Sequence, residues 1–201
     1  MLKTVCEQIK TWQAQGYPIP KVAINLSARQ FRDKELIKNI ARILDETGVA
    51  ARYITLEITE SMLIDNIEKV VETLNQLNTM GIRISIDDFG TGYSSLSYLK
   101  RFPIHTLKID RTFVRDIVTD RNDHTIVATI IAMAHSLGMD VIAEGIETEE
   151  QLDLLIAQQC DHYQGYYFSR PVAALEIEPM LANAVAKSRN PHDLFRKITG
   201  T

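Results

Sequence analysis

The 201-residue chain has only two cysteines, Cys6 and Cys160. They lie far apart and in no paired motif. That excludes a disulfide framework and a cysteine-type zinc site, and it fits a reducing compartment. Long hydrophobic runs are also missing. The stretch IVATIIAMA is far shorter than the roughly 20 residues a membrane-spanning helix needs, and no signal-peptide pattern is visible at the N-terminus. A cytoplasmic domain without membrane contact is expected. Basic charge is scarce as well: 22 Lys and Arg face 26 Asp and Glu, for a net charge of −4. Electrostatic DNA binding is therefore excluded as a main function. His105, His124, His135, His162 and His192 show no metal-ligand spacing and read as scattered surface or core residues.

What the chain does contain is alternation. KVAINLS, YITLEIT, RISIDDF, HTLKID, DVIAEGIE and HYQGYYFS are short, rich in β-branched residues and bounded by breakers. Longer segments of helical period separate them, such as RDKELIKNIARILDETG, DNIEKVVETLNQLNTMG and HTIVATIIAMAHSLGM. Gly48 and Gly81 stand where C-terminal caps stand. Strands alternating with helices imply βαβ units and a parallel sheet. No linker divides the chain, so residues 1–201 read as one domain, with 190–201 as a tail or last turn of helix.

The strand period of two sorts the side chains. Val22, Ile24 and Leu26 share one face, as do Ile54, Leu56 and Ile58, then Ile82, Ile84 and Ile86, then Leu107 and Ile109. The opposite faces are small or polar. Each ends in one functional group at an expected matching height: Asn25, Glu57, Asp87 and Lys108. Glu144 and Gln164 follow in the last two strands. A doubly wound sheet buries both faces and wants both apolar. One aliphatic and one polar face fit a (β/α)8 barrel, in which functional groups stand at the C-terminal strand ends. Only about six βα units are present, and a helix opens the chain where a strand is due.

ISIDDFGTGYSSL, residues 84–96, carries two adjacent carboxylates, Asp87 and Asp88, at the end of an aliphatic strand. Adjacent anions repel each other, so such a pair implies a shared cation or proton. Six segments together resemble the EAL domain of bacterial cyclic-di-GMP phosphodiesterases: INLS (24–27), LEITES (56–61), DDFGTGYSSL (87–96), LKID (107–110), AEGIET (143–148) and QGYYFSRP (164–171). The resemblance implies a modified (β/α)8 barrel of EAL type. It also implies a metal-dependent hydrolase that opens cyclic di-GMP to the linear dinucleotide pGpG in second-messenger signalling. The Glu-Ala-Leu segment that names the family is absent, so the chain reads as N-terminally truncated.

By the same resemblance, two divalent cations, Mg²⁺ or Mn²⁺, are expected. Asn25, Glu57 and Asp87 would hold the first and Asp87 with Asp88 the second. Lys108 would hold the attacking water, with Glu144 acting near the second ion as ligand or general base and Glu147 supporting it. Gln164 and Asp110 would serve the water shell or substrate. Glu60 would anchor the FGTGYSS loop, which in the family couples site assembly to dimerisation. A homodimer and an upstream sensory or GGDEF domain are implied as partners.

Plainer readings stand beside these roles. Lys108 could be a solvated lysine on the barrel rim, and Gln164 could satisfy loop backbone groups. Glu60, Glu147 and Glu149 could each favour a helix N-terminus. A nucleotide receptor or protein-interaction module without turnover is the alternative function, because the Glu of the absent segment would be a metal ligand. An enolase-type barrel shares the layout of acids on successive strands followed by a lysine, but not the DDFGTGYSS and EGIET segments.

Overall fold

The computed structural model describes residues 1–64, 66–92 and 96–187. The expected tail at 190–201, and Tyr93, Ser94 and Ser95 of the loop motif, lie outside the described residues.

All six expected strands form: β1 (Val22–Asn25), β2 (Ile54–Thr59), β3 (Arg83–Phe89), β4 (Thr106–Ile109), β5 (Asp140–Glu144) and β6 (His162–Gln164). Every neighbouring pair is parallel, and the order in the sheet is the order in the chain. A doubly wound sheet reverses direction at a switch point. Here each crossover moves one strand onward in the same sense, which curls the sheet into a six-stranded parallel half-barrel.

Helices α1 (Leu2–Ala14), α2 (Ala28–Phe31), α3 (Leu36–Thr47), α4 (Ile67–Thr79), α5 (Leu96–Leu99), α6 (Arg111–Arg115), α7 (Arg121–Ser136), α8 (Glu149–Ala157) and α9 (Ala174–Lys187) complete the chain. None of the described helices is long and apolar enough to cross a membrane. Helix α4 buries Val70, Leu74 and Leu77, one narrow face at helical spacing. Helix α3 buries Leu36 and Ile40 and stops at Gly48, which adopts φ 64 and donates its N–H to Leu44 O. In α8 only Gln151 and Leu155 are buried, too thin a stripe to stand out as a period. It starts on a capping box between Thr148 and Gln151.

The aliphatic strand faces pack beneath the helices. Ile54, Ile58, Ile82, Ile84, Ile86, Leu107 and Ile109 are 0–1% exposed and join Ile9, Ile40, Leu74 and Val127 in one core. Each such burial contributes about 1.5–3 kcal/mol relative to exposure. The opposite face is polar yet also buried: Glu57, Ser85, Thr106 and Lys108 lie inside the curve of the sheet.

The register corrects one expectation. Asn25 pairs with Glu57 and Glu57 with Ser85, whereas Asp87 lies opposite Thr59, two residues farther along. Lys108 lies opposite Ile142, two residues before Glu144. The functional groups are therefore staggered along their strands, not level. A sheet that curls toward a barrel must tilt and shear its strands, and long side chains close the remaining gaps.

Candidate active site

The paired carboxylates owe their placement to a break in the sheet. Ile86 pairs with Leu107 and Phe89 with Ile109, so three steps on β3 oppose two on β4. The extra residue falls at Asp87–Asp88, and Asp88 adopts φ 53. In a regular strand adjacent side chains point to opposite faces; a bulge re-aims one of them. One oxygen from each of Asp87, Asp88 and Glu144 accordingly comes within 4.8 Å of the others, a spacing suited to a shared cation.

Lys108 stands at the centre of the inner face. Its Nζ donates to Glu57 Oε1 at 2.9 Å, Asp87 Oδ1 at 2.8 Å and Glu144 Oε1 at 2.7 Å, with the ammonium-bearing side chain 4% exposed. Four strands thus meet at one nitrogen, and the solvated-rim reading of Lys108 is excluded. Burial pulls its pKa down. The hydrogen bonds to Asp87 and Glu144 and the charge of Glu57 outweigh that and raise it above the ordinary lysine value. Glu144 also moves up, first through burial, with Asp87 and Glu57 adding repulsion that Lys108 only partly offsets. Both directions hold together because one ammonium cannot neutralise three carboxylates, and Glu144 takes part of the surplus.

Asp88 and Asp110 form a second, adjoining pair. Burial, the Asp87 charge and a hydrogen bond to Asp110 raise the Asp88 pKa. Burial also pushes Asp110 up. Hydrogen bonds from Thr112 and from the Asp88 carboxyl outweigh it and leave Asp110 below the usual range. The shared hydrogen bond thus moves the two carboxyls in opposite directions. Asp110 is at the same time the N-cap of α6, accepting Thr112 N–H at 2.8 Å.

Five carboxylates, from Glu57, Asp87, Asp88, Asp110 and Glu144, thus surround a single ammonium. Even with the Lys108 ammonium and the Arg111 charge near Asp110, the cluster carries a surplus of negative charge that a cation would offset. Oxygen donors of this kind suit Mg²⁺ or Mn²⁺. Asp87, Asp88 and Glu144 fit such a cation.

Glu60 is 3% exposed, in a 3-10 turn (Glu60–Leu63) that follows β2. Its Oε2 accepts the backbone N–H of Gly90 at 3.2 Å and of Gly92 at 3.1 Å. It therefore ties down the start of the loop after β3 and does more than sit at a helix terminus. A Cβ on Gly92 would stand 2.9 Å from the Glu60 carboxylate carbon, so a side chain there would push the carboxylate off the two N–H groups.

Asn25, Glu147 and Gln164 are exposed. Asn25 shares register with Glu57, and Gln164 with Glu144, so both lie on the rim of the same face. The Glu147 backbone N–H donates to Gln151 Oε1 at 2.8 Å, which places the residue in the capping turn of α8. Two features escaped the sequence reading: the bulge at Asp87–Asp88 and the Asp88–Asp110 pair. The only hint of either was the adjacency of two acids.

A parallel β/α half-barrel with its charged groups at the C-terminal strand ends places this chain among the β/α barrel domains that build their sites on that face. Within that class, the chain matches the EAL domain family over residues 1–171 and belongs to it. It is 40% identical to the cyclic di-GMP phosphodiesterase NbdA of Pseudomonas aeruginosa over 90% of this chain and 23% of the relative. The structure of the phosphodiesterase MucR in complex with c-di-GMP superposes with a TM-score of 0.84 at 39% identity, over 88% of this chain and 71% of that one. Klebsiella pneumoniae BlrP1, in a manganese and cyclic di-GMP complex, gives a TM-score of 0.75 at 30% identity, over 86% and 44%. The chain is thus homologous to cyclic di-GMP phosphodiesterases, and it spans about a quarter of the length of the curated relative.

Proposed function

We propose that this domain hydrolyses one phosphodiester bond of cyclic di-GMP to give pGpG, with two divalent cations, Mg²⁺ or Mn²⁺. The observation that carries the reading is the buried Lys108 ammonium held by carboxylates from three other strands beside the Asp88–Asp110 pair. Bound cations of this kind lower the pKa of water and offset charge on a phosphate.

Asn25, Glu57, Asp87 and Asp88 would hold the two ions, which would supply Lewis-acid activation of water and charge neutralisation. Lys108 donates from Nζ to the attacking water and faces the phosphate charge. Glu144 accepts a proton from that water, or binds the second ion, with Glu147 in support. Gln164 and Asp110 orient the water shell and the substrate. Glu60 fixes the loop after β3 through Gly90 and Gly92. A homodimer, an upstream sensory or GGDEF domain and a cytoplasmic setting complete the proposal.

The test is chromatography of cyclic di-GMP incubated with the protein and Mn²⁺. Formation of pGpG is expected, abolished by EDTA and slowed at least ~100-fold by Asp87→Asn. Hydrolysis that survives EDTA, or is untouched in Asp87→Asn, refutes the proposal. The alternative outcome is a receptor that binds cyclic di-GMP without turnover. Nucleotide binding with no pGpG at any cation concentration would select it.

A further inference from the structure

We infer that a cavity between α2, the 3-10 turn after β2 and α4 binds a small organic anion with an aromatic body. The cavity measures about 250 Å³. Phe31 and Arg32 line it from α2 and its C-terminal end, Met62 from the turn, and Lys69, Val70 and Thr73 from α4. Neither Lys108 nor any of the five carboxylates around it lines this space. The site therefore needs neither bound cations nor turnover, and it goes beyond the proposed function. Local structure fixes its walls. A capping box between Ser27 and Gln30 starts the single turn of α2. Asn66 adopts φ 46 and accepts Lys69 N–H at 3.4 Å, which redirects the chain from the turn into α4.

The floor is apolar and part of the core: Phe31, Met62 and Val70 are 7%, 5% and 3% exposed. The rim is polar, with Arg32 and Lys69 exposed and Thr73 half-buried. Lys69 forms no ion pair among the described residues. The chain as a whole carries a net charge of −4, so two cations lining one cavity make a local exception that favours an anion. An apolar group settling on this floor displaces loosely held water, which favours binding. An aromatic ring gains more than an aliphatic one, because it meets the Phe31 ring and the Met62 thioether. A cavity of ~150 Å³ already admits benzene. The 250 Å³ here accommodates one ring with a carboxylate or phosphate beside it. That anionic group then meets the Lys69 ammonium and the Arg32 guanidinium at the rim. Met62 shares its turn with Glu60, so an occupant also touches the element that anchors the loop after β3.

The experiment is methionine-methyl NMR of the protein in EDTA, with the Met62 peak assigned through Met62→Leu. The probes are benzoate and phenyl phosphate, with benzyl alcohol and inorganic phosphate beside them. Both aromatic anions should shift the Met62 peak saturably, with a Kd on the order of 1 mM or tighter, and leave the Met139 peak in place. Benzyl alcohol, which lacks the charge, and phosphate, which lacks the ring, should bind more weakly than either. Lys69→Gln should weaken both aromatic anions roughly twofold to fivefold and leave benzyl alcohol unchanged. Ala28 is exposed and lines the cavity, so Ala28→Trp should block the cavity and abolish the shift. In a parallel sample with Ca²⁺, cyclic di-GMP should not displace benzoate. An unmoved Met62 peak in the wild type, or a shift that survives Ala28→Trp, overturns the site. Equal binding of benzyl alcohol, or no loss in Lys69→Gln, overturns the choice of an anion. Displacement of benzoate by cyclic di-GMP overturns the separateness of the site and leaves the proposed function standing.

Discussion

Replacing Lys108 by Met tests the electrostatic design of the site most directly. The substitution keeps the length and apolar stem of the side chain and removes the charge. Three carboxylate oxygens at 2.7–2.9 Å then lose their shared cation while Glu57, Asp87 and Glu144 stay largely buried. Breaking a buried ion pair by removing one partner costs roughly 3–5 kcal/mol, because the remaining charge is stranded. With a urea m-value of about 2–3 kcal/mol/M, the unfolding midpoint in EDTA should fall by roughly 1–2.5 M. The double variant Lys108→Met with Glu144→Gln should recover part of the loss, since one surplus anion is gone. Mn²⁺ should recover part as well by supplying charge to the same oxygens. A midpoint within about 0.3 M of wild type at neutral pH would refute the reasoning. It would mean that the carboxylates rearrange or take up protons at little cost.

Glu60→Ala should cost roughly 1–3 kcal/mol, because it strands the Gly90 and Gly92 N–H groups. Glu60→Gln, which keeps an acceptor, should cost clearly less in the same urea titration; equal losses would show that the hydrogen bonds are not the cause. His105 makes stability depend on pH. Burial first, and then the Arg83 charge, lower its pKa from the ordinary histidine value, and its Nδ1 accepts Ile84 N–H at 3.2 Å. The unfolded chain therefore binds this proton more readily, so the contribution is complete above about pH 6.5 and is lost as pH falls below it. Between pH 7.5 and 5.5 wild type should lose more stability than His105→Gln, and parallel curves would refute the assignment. Both thiols should be inert in the native protein. Cys6 is fully buried, and burial pushes the Cys160 thiol up to about 12. Stoichiometric reaction with a disulfide reagent before unfolding would contradict this.

The sequence alone was enough to define the strands and the faces they bury. Ile84 and Ile86 alternate with Ser85 and Asp87, and the same pattern recurs in the neighbouring segments, because the pleat enforces a period of two wherever one face is buried. The conjunction of Glu57, Asp87, Lys108 and Glu144 along successive strands was legible for the same reason, and the family followed from the motifs that contain them. Periodicity, however, carries no information about register between strands. Only the folded sheet decided that Asp87 lies two residues beyond Glu57, and that a bulge swings Asp88 toward Asp87 and Asp110. It likewise decided that Lys108 satisfies three carboxylates at once. Apart from the adjacent acids, these are relations between residues 21 to 51 positions apart. They are set by how a tilted, sheared sheet curls and by where one extra residue must be accommodated. A linear pattern specifies which side of a strand a group occupies; the curvature of the sheet specifies which groups meet.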